Sequence, residues 1–195
     1  MNKTTYILIF IFLISCSTSK KELFPVGQIK TSLGEILFAM YDETPNHKAS
    51  FINLAHKGYW DTLTFNRVIK NFVIQGGCPD TPAGFKDSTY LLKPEFRDSI
   101  RHVYGAVGIG RDDNLDKLSA TCQFYIVENK DGLARLDGKY MIFGKVIKGM
   151  DVVEAIASVE TDSTDTPLIP IKLDVNIITM NMEELNALGW KPASK

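Results

Sequence analysis

Three polar side chains stand inside runs that are otherwise apolar: Arg67 in "FNRVI", Gln75 in "FVIQGG" and Gln123 in "CQFYIVE". A guanidinium presents a planar, permanently charged fork of donors, suited to steadying a lone pair or developing negative charge, and a carboxamide beside it can hold that fork in place. An arginine on a strand is also ordinary content for a solvated face, so its surroundings must decide between the two readings. Other chemistries lack their residues. No serine occupies a G-x-S-x-G elbow, and no Walker or dinucleotide glycine pattern occurs. "DDNLDKLSATCQ", Asp112 to Gln123, opens with the oxygen spacing of a calcium loop. It then has Lys117 where glycine is needed and Gln123 where a bidentate glutamate is needed, so it reads as a solvated acidic loop. His47, His56 and His102 are scattered, and neither Cys78 nor Cys122 stands at zinc-ligand spacing. No carboxylate lies in the apolar strand context that glycoside chemistry would need. No metal and no cofactor are expected.

The elements that must position Arg67, Gln75 and Gln123 are short strands. "GQIKTS" and "EILFAMY" flank Leu33-Gly34, a hairpin signal, and the second segment places Ile36, Phe38 and Met40 on one face. A helix follows, capped by Thr44, with Pro45 at its first position, an apolar stripe of Phe51, Leu54 and Ala55, and Gly58 at its end. Further strands are "FNRVI", "FVIQ", "GAVGI", "CQFYIVE", "YMIFGKV" and "KLDVNIITMNM". A second helix, "MDVVEAIASVE", carries Val152, Val153, Ile156 and Val159 on one side. The pattern implies a mainly β fold, an eight-stranded antiparallel barrel whose open ends two helices cover.

With 195 residues, 45% of them apolar, the chain can bury one substantial core, and one globular domain is expected. The 22 basic and 23 acidic residues are interspersed and leave a net charge of -1, so no basic stripe exists to attract nucleic acid. The run "YILIFIFLIS", Tyr6 to Ser15, is apolar but about ten residues long, where a spanning helix needs about 20. It reads as the core of a signal peptide. It leads into "LISC", Leu13 to Cys16, and polar "STSKKE", which together resemble the bacterial lipobox. The expected organisation is a signal peptide over 1–15, a tether over 16–25 lipidated at Cys16, a folded domain over 26–182 and a C-terminal tail over 183–195. Such a chain would be an extracytoplasmic, membrane-anchored bacterial lipoprotein facing the periplasm. There an oxidising environment permits a disulfide, but spacing alone gives Cys78 and Cys122 no reason to meet, and they are read as free thiols.

Three segments, in order, resemble the signature blocks of the cyclophilin family of peptidyl-prolyl isomerases. They are "YWDTLTFNRVIKNFVIQGG", then "YGAVGIGR" followed by "CQFYIVE", then "RLDGKYMIFGKVIKGMDVVEAI". The resemblance covers about residues 26 to 182 and implies a closed eight-stranded barrel, no cofactor and proline-containing polypeptides as partners of a monomeric enzyme. It implies that Arg67 is catalytic, that Gln75 orients it, and that Phe72, Val73, Tyr125, Leu136 and Tyr140 wall a proline pocket. Gln123 matches a second pocket glutamine, and Gly110 and Arg111 match the segment whose backbone pairs with the residue before proline. Asn66 departs from the family's usual histidine, and Arg135 replaces the tryptophan or other apolar residue at the pocket rim. The segment Asp80 to Lys93 is poorer in glycine than the family pattern. Retention of the arginine, glutamine and most walls favours catalysis over the alternative, a proline-peptide-binding chaperone module with little turnover.

Overall fold

The computed structural model describes residues 22–78 and 90–191. The apolar N-terminal run, Cys16 and most of the tether lie outside the described residues, as does most of the Asp80–Lys93 segment. The chain forms β1 (Leu23–Thr31), β2 (Gly34–Met40), α1 (Pro45–His56), β3 (Thr64–Ile69), β4 (Val73–Gly77) and β5 (Leu91–Leu92). It continues with β6 (Ala106–Ile109), β7 (Ser119–Ala120), β8 (Gln123–Val127), a 3-10 turn (Ala134–Leu136) and β9 (Met141–Lys148). The last elements are α2 (Met150–Ala157), β10 (Ile171–Lys172), β11 (Asp174–Asn181) and α3 (Met182–Ala187).

Nine strands make one antiparallel sheet in the order β10-β3-β4-β8-β6-β9-β2-β1-β11, and β5 pairs with β7 separately. The sheet is curled but is not the closed eight-stranded barrel expected from the sequence. The stretch from Ile171 to Asn181 divides its pairing at Leu173: β10 bonds to β3 at one edge of the sheet, and β11 bonds to β1 at the other. No continuous ladder joins the two edges, because β3 is paired only by Ile171 and Lys172 and β1 only by the residues from Asp174 onward.

Alternation along each strand sends side chains to two faces. One face carries Ile36, Phe38, Phe65, Ile74, Val107, Ile109, Phe124, Ile126 and Phe143, which form the main core with Phe51 and Leu54 of α1 and Val153 and Ile156 of α2. The other face carries Val73, Tyr125, Val127 and Ile142, a smaller apolar layer extended by Phe72, Leu136 and Tyr140. The second layer is where the candidate site lies.

One helix end and both ends of the domain depart from expectation. Thr44 does not cap α1 through its side chain; its hydroxyl donates instead to the Tyr41 carbonyl at 3.3 Å. The cap comes from far along the chain: the Glu95 carboxylate accepts from the main-chain N–H groups of Asn46 and His47, both at 3.1 Å through Oε2. A carboxylate at the positive end of the helix satisfies donors that the first turn leaves open. The expected tail and tether also begin in regular structure. Leu23 pairs with Asn181 and Phe24 with Met180, so the domain starts ahead of Val26. Asn181 then opens a third helix through a capping box with Glu184, a "N-x-x-E" spacing, and Leu185 is buried against Val26 and Leu37.

Candidate active site

The puzzle of an arginine inside an apolar strand is resolved by a β-bulge. Phe65 pairs with Gly76 and Arg67 with Gln75, so Asn66 is an extra residue on β3. In a regular strand Phe65 and Arg67 would share a face. The bulge sends Phe65 into the main core, 1% exposed, and turns Arg67 to the opposite side. Beyond its short pairing with β10, β3 is met by a distant loop. The Val68 N–H donates to the Asp165 carbonyl at 2.8 Å, and the Thr166 hydroxyl donates to the Asn66 carbonyl at 3.2 Å. The same loop brings the Asp165 carboxylate to 3.7 Å from Arg67 Nε.

From Arg67 a row of residues crosses the sheet. Gln75 on β4 stands opposite Arg67, Tyr125 on β8 opposite Gln75, and Gly108 on β6 opposite Tyr125. The Tyr125 ring lies over Gly108, where any Cβ would collide with its phenol end. Together with Phe72, Val73, Arg135, Leu136 and Tyr140, Arg67, Gln75 and Tyr125 line one groove of about 240 Å³. Its floor is buried, Val73 at 3% and Gln75 at 7% exposure, while Arg67 keeps 36% of its side-chain surface open at the edge. The Arg135 guanidinium lies over the Phe72 ring, 4.9 Å from its centroid, so the rim cation shields an apolar wall.

Three of the expected site residues stand beside the groove and do not line it. Gln123 is 1% exposed and donates through Nε2 to the Cys78 carbonyl at 2.9 Å. The main chain of Gly110 is already engaged, its N–H to the Gln123 carbonyl and its carbonyl to the Ala120 N–H. Arg111 reaches the groove indirectly, its guanidinium 5.3 Å from the centroid of the Tyr140 ring and its Nε donating to the Asp112 carbonyl.

Cys78 and Cys122 are not free thiols. They form a disulfide with Cα atoms 5.5 Å apart. The register explains it: Gly77 pairs with Gln123, so the ladder extended by one step puts Cys78 against Cys122, whose carbonyl accepts the Cys78 N–H.

Behind Tyr125 lies a chain of polar groups that the motifs did not single out. His102 Nε2 is 2.8 Å from the Tyr125 hydroxyl and Nδ1 is 2.7 Å from Asp137 Oδ1. Burial holds the His102 pKa below the ordinary value, against the opposing pull of Asp137. Burial would push the Asp137 carboxyl up, but hydrogen bonds from His102 hold it below the usual carboxylate value. Burial raises the Tyr125 phenol well above its ordinary range, helped by Tyr140 and Asp137. The chain therefore holds neutral His102, ionised Asp137 and protonated Tyr125 near neutral pH. Asp137 sat within the quoted "RLDGKY" segment, whereas nothing in the sequence links Asp165 to Arg67.

The sequence model described as "Cyclophilin type peptidyl-prolyl cis-trans isomerase/CLD" matches residues 26–177. The chain belongs to the cyclophilin family. Among curated cyclophilin relatives, a peptidyl-prolyl cis-trans isomerase of Schizosaccharomyces pombe is 39% identical over 150 residues, covering 75% of this chain and 94% of that one. A peptidyl-prolyl cis-trans isomerase of Acinetobacter baylyi is 35% identical over 163 residues, covering 82% of this chain and 86% of that one. A crystal structure of a Cryptosporidium parvum cyclophilin, determined in the presence of the dipeptide Ala-Pro, superposes with a TM-score of 0.70 at 24% identity. It covers 80% of this chain and 99% of that one, and shows that the cyclophilin fold is shared.

Proposed function

We propose that this cyclophilin accelerates cis-trans isomerisation of X-Pro bonds in exported polypeptides, with Arg67 stabilising the twisted amide. The observation that carries the reading is the groove itself: a cation at the edge of a buried, largely apolar pocket, with Gln75 opposite it on the neighbouring strand. Rotation about an X-Pro bond must cross about 20 kcal/mol because the amide C–N bond is partly double. No covalent bond to the enzyme is needed. As the amide twists, the proline nitrogen becomes pyramidal and recovers its lone pair, which accepts a hydrogen bond that the planar ground state cannot. Arg67 supplies that donor from the groove edge, and Asp165 and Gln75 restrict where the guanidinium points. Phe72, Val73, Tyr125, Leu136 and Tyr140 grip the ring while the preceding carbonyl turns. The Arg111 segment is offered to the main chain before proline, and Gln123 acts from behind by supporting the Gly110 backbone.

The apolar run and "LISC" support an extracytoplasmic location, with the monomeric domain held to the membrane through lipid on Cys16 and facing the periplasm. One experiment tests activity and anchoring together: wild type, Arg67→Ala and Cys16→Ala are produced in cells, fractionated, and assayed with a proline peptide. Wild type should be active in the membrane fraction, Arg67→Ala at least about tenfold slower, which is about 1.4 kcal/mol of transition-state stabilisation, and Cys16→Ala active but soluble. Wild-type protein that binds the peptide without turnover would replace isomerase with chaperone. Arg67→Ala at the wild-type rate would remove the arginine from the mechanism, and membrane-bound Cys16→Ala would remove the lipid.

A further inference from the structure

His102 makes four polar contacts, and they reach two separate segments that line the groove. Its ring and its main-chain N–H both meet Asp137 Oδ1, at 2.7 and 2.9 Å. Its carbonyl accepts the Leu133 N–H at 2.7 Å. Leu133 and Asp137 are the residues on either side of the 3-10 turn that carries Arg135 and Leu136, one wall of the groove. The remaining contact, from Nε2, is to the hydroxyl of Tyr125 on β8, which also lines the groove. His102 is 3% exposed and touches none of the space a substrate would fill.

The protonation pattern follows from the partners. An ionised carboxylate only accepts, so Nδ1 carries the ring proton toward Asp137. In the neutral imidazole Nε2 then accepts, and the Tyr125 hydroxyl has to donate to it. A hydroxyl committed in that direction presents only ring carbon to the groove. Phenylalanine would give the same surface without a partner, so a tyrosine here needs His102 to be compatible with an apolar pocket.

We propose that His102 is a positioning residue for proline recognition: it ties the Arg135–Leu136 wall to the Tyr125 wall and keeps the Tyr125 hydroxyl turned out of the groove. The proposal rests on the isomerase reading only for its kinetic arm. When His102 takes up a second proton, Nε2 becomes a donor and the Tyr125 hydroxyl hydrogen has to swing away from it, toward the groove. The charged and titratable groups facing His102 are Asp137 and Arg101 from the flanking segments, with Arg101 3.8 Å from Asp137, and Tyr125 from β8, with Tyr140 beyond it. The swing makes peptide binding weaker at acid pH.

The test has three arms on the purified protein. Imidazole nitrogen NMR should show His102 as one neutral tautomer, protonated at Nδ1; a ring protonated at Nε2 overturns the proposal whatever the variants do. Affinity for a short Ala-Pro-containing peptide, followed by NMR titration without reference to turnover, should fall about fivefold in His102→Leu, the size of one net neutral hydrogen bond. It should partly recover in His102→Gln, whose amide reaches the Nε2 position. In turnover assays the loss should lie in KM with kcat changed less, and wild-type KM should rise on acidification while that of His102→Gln stays flat. Folded variants with wild-type affinity, or an acid response that persists in His102→Gln, overturn the proposal. A wild type that binds peptide but does not turn it over defeats the isomerase reading alone, and leaves the NMR arms to decide this one.

Discussion

At the residue scale, the groove sets two cations, Arg67 at its edge and Arg135 over Phe72, beside buried neighbours. His47 and His102 share an arrangement: each is buried, each bonds a carboxylate through Nδ1, Glu95 at 2.6 Å and Asp137 at 2.7 Å, and each has its pKa lowered below 6.5 by burial first. The unfolded chain therefore binds protons on these histidines before the folded one does. Their contribution to stability is complete above about pH 6.5 and is lost as pH falls through the lowered folded values. For Glu95 and Asp137 burial acts upward, but hydrogen bonds from the paired histidines leave both pKa values lowered. Their contribution is present above the ordinary carboxylate range and disappears further into acid. Urea midpoints measured against pH should thus be level above neutrality, decline as pH falls below about 6.5, and drop again below about 4; a midpoint that does not fall on acidification from neutral pH would contradict it. The sequence displayed Arg67, Gln75 and Tyr125 because their types are unusual in apolar strands or match a motif. It hid Asp165 and His102, whose importance comes from hydrogen bonds to residues distant along the chain.

At the scale of elements, the strands were legible and their exact ends less so. The β1–β2 hairpin and the core face of β2 follow from alternation and the Leu33-Gly34 turn. The bulge at Asn66 could not be read that way, because period-two counting places Phe65 and Arg67 on one face. The disulfide is a similar case: two cysteines 44 residues apart become neighbours only once β4 and β8 are in register. Closing a loop of that length removes unfolded-state entropy worth about 4 kcal/mol in the chain-entropy account. Replacing both residues, Cys78→Ser with Cys122→Ser, should lower the thermal midpoint by about 10 °C. Calorimetry of the double variant beside the oxidised protein checks this, and equal midpoints would show that the bridge adds nothing. Because Cys78 also supplies the carbonyl that holds Gln123, a loosened β4 end should lower activity less than stability.

At the scale of the whole molecule, a mainly β fold with α1 and α2 over the main core was readable from strand count and two amphipathic stretches. The unclosed seam was not, since it depends on how Ile171–Asn181 shares its hydrogen bonds between two edges. Nor was α3, whose capping box lies at the end of a long strand and whose Leu185 finds its partners on β1 and β2. The pairing of Leu23 with Asn181 has a further consequence. Phe24 and Lys191 line the same hollow, so both ends of the described domain emerge together, at the edge of the sheet away from the β3, β4 and β8 groove. The order in which the chain is threaded is then separable from the shape it makes. A circular permutant can join Lys191 to Glu22 by a short flexible linker and open the chain at the exposed Ser32–Leu33 turn, which is tied by the Thr31 hydroxyl. It would begin with β2 and finish with β1, leaving every residue of the groove within one uninterrupted stretch. Such a molecule should fold and turn over proline peptides at the parent rate, and a permutant that folds but has lost its activity would mean that the hairpin shapes the groove from across the sheet.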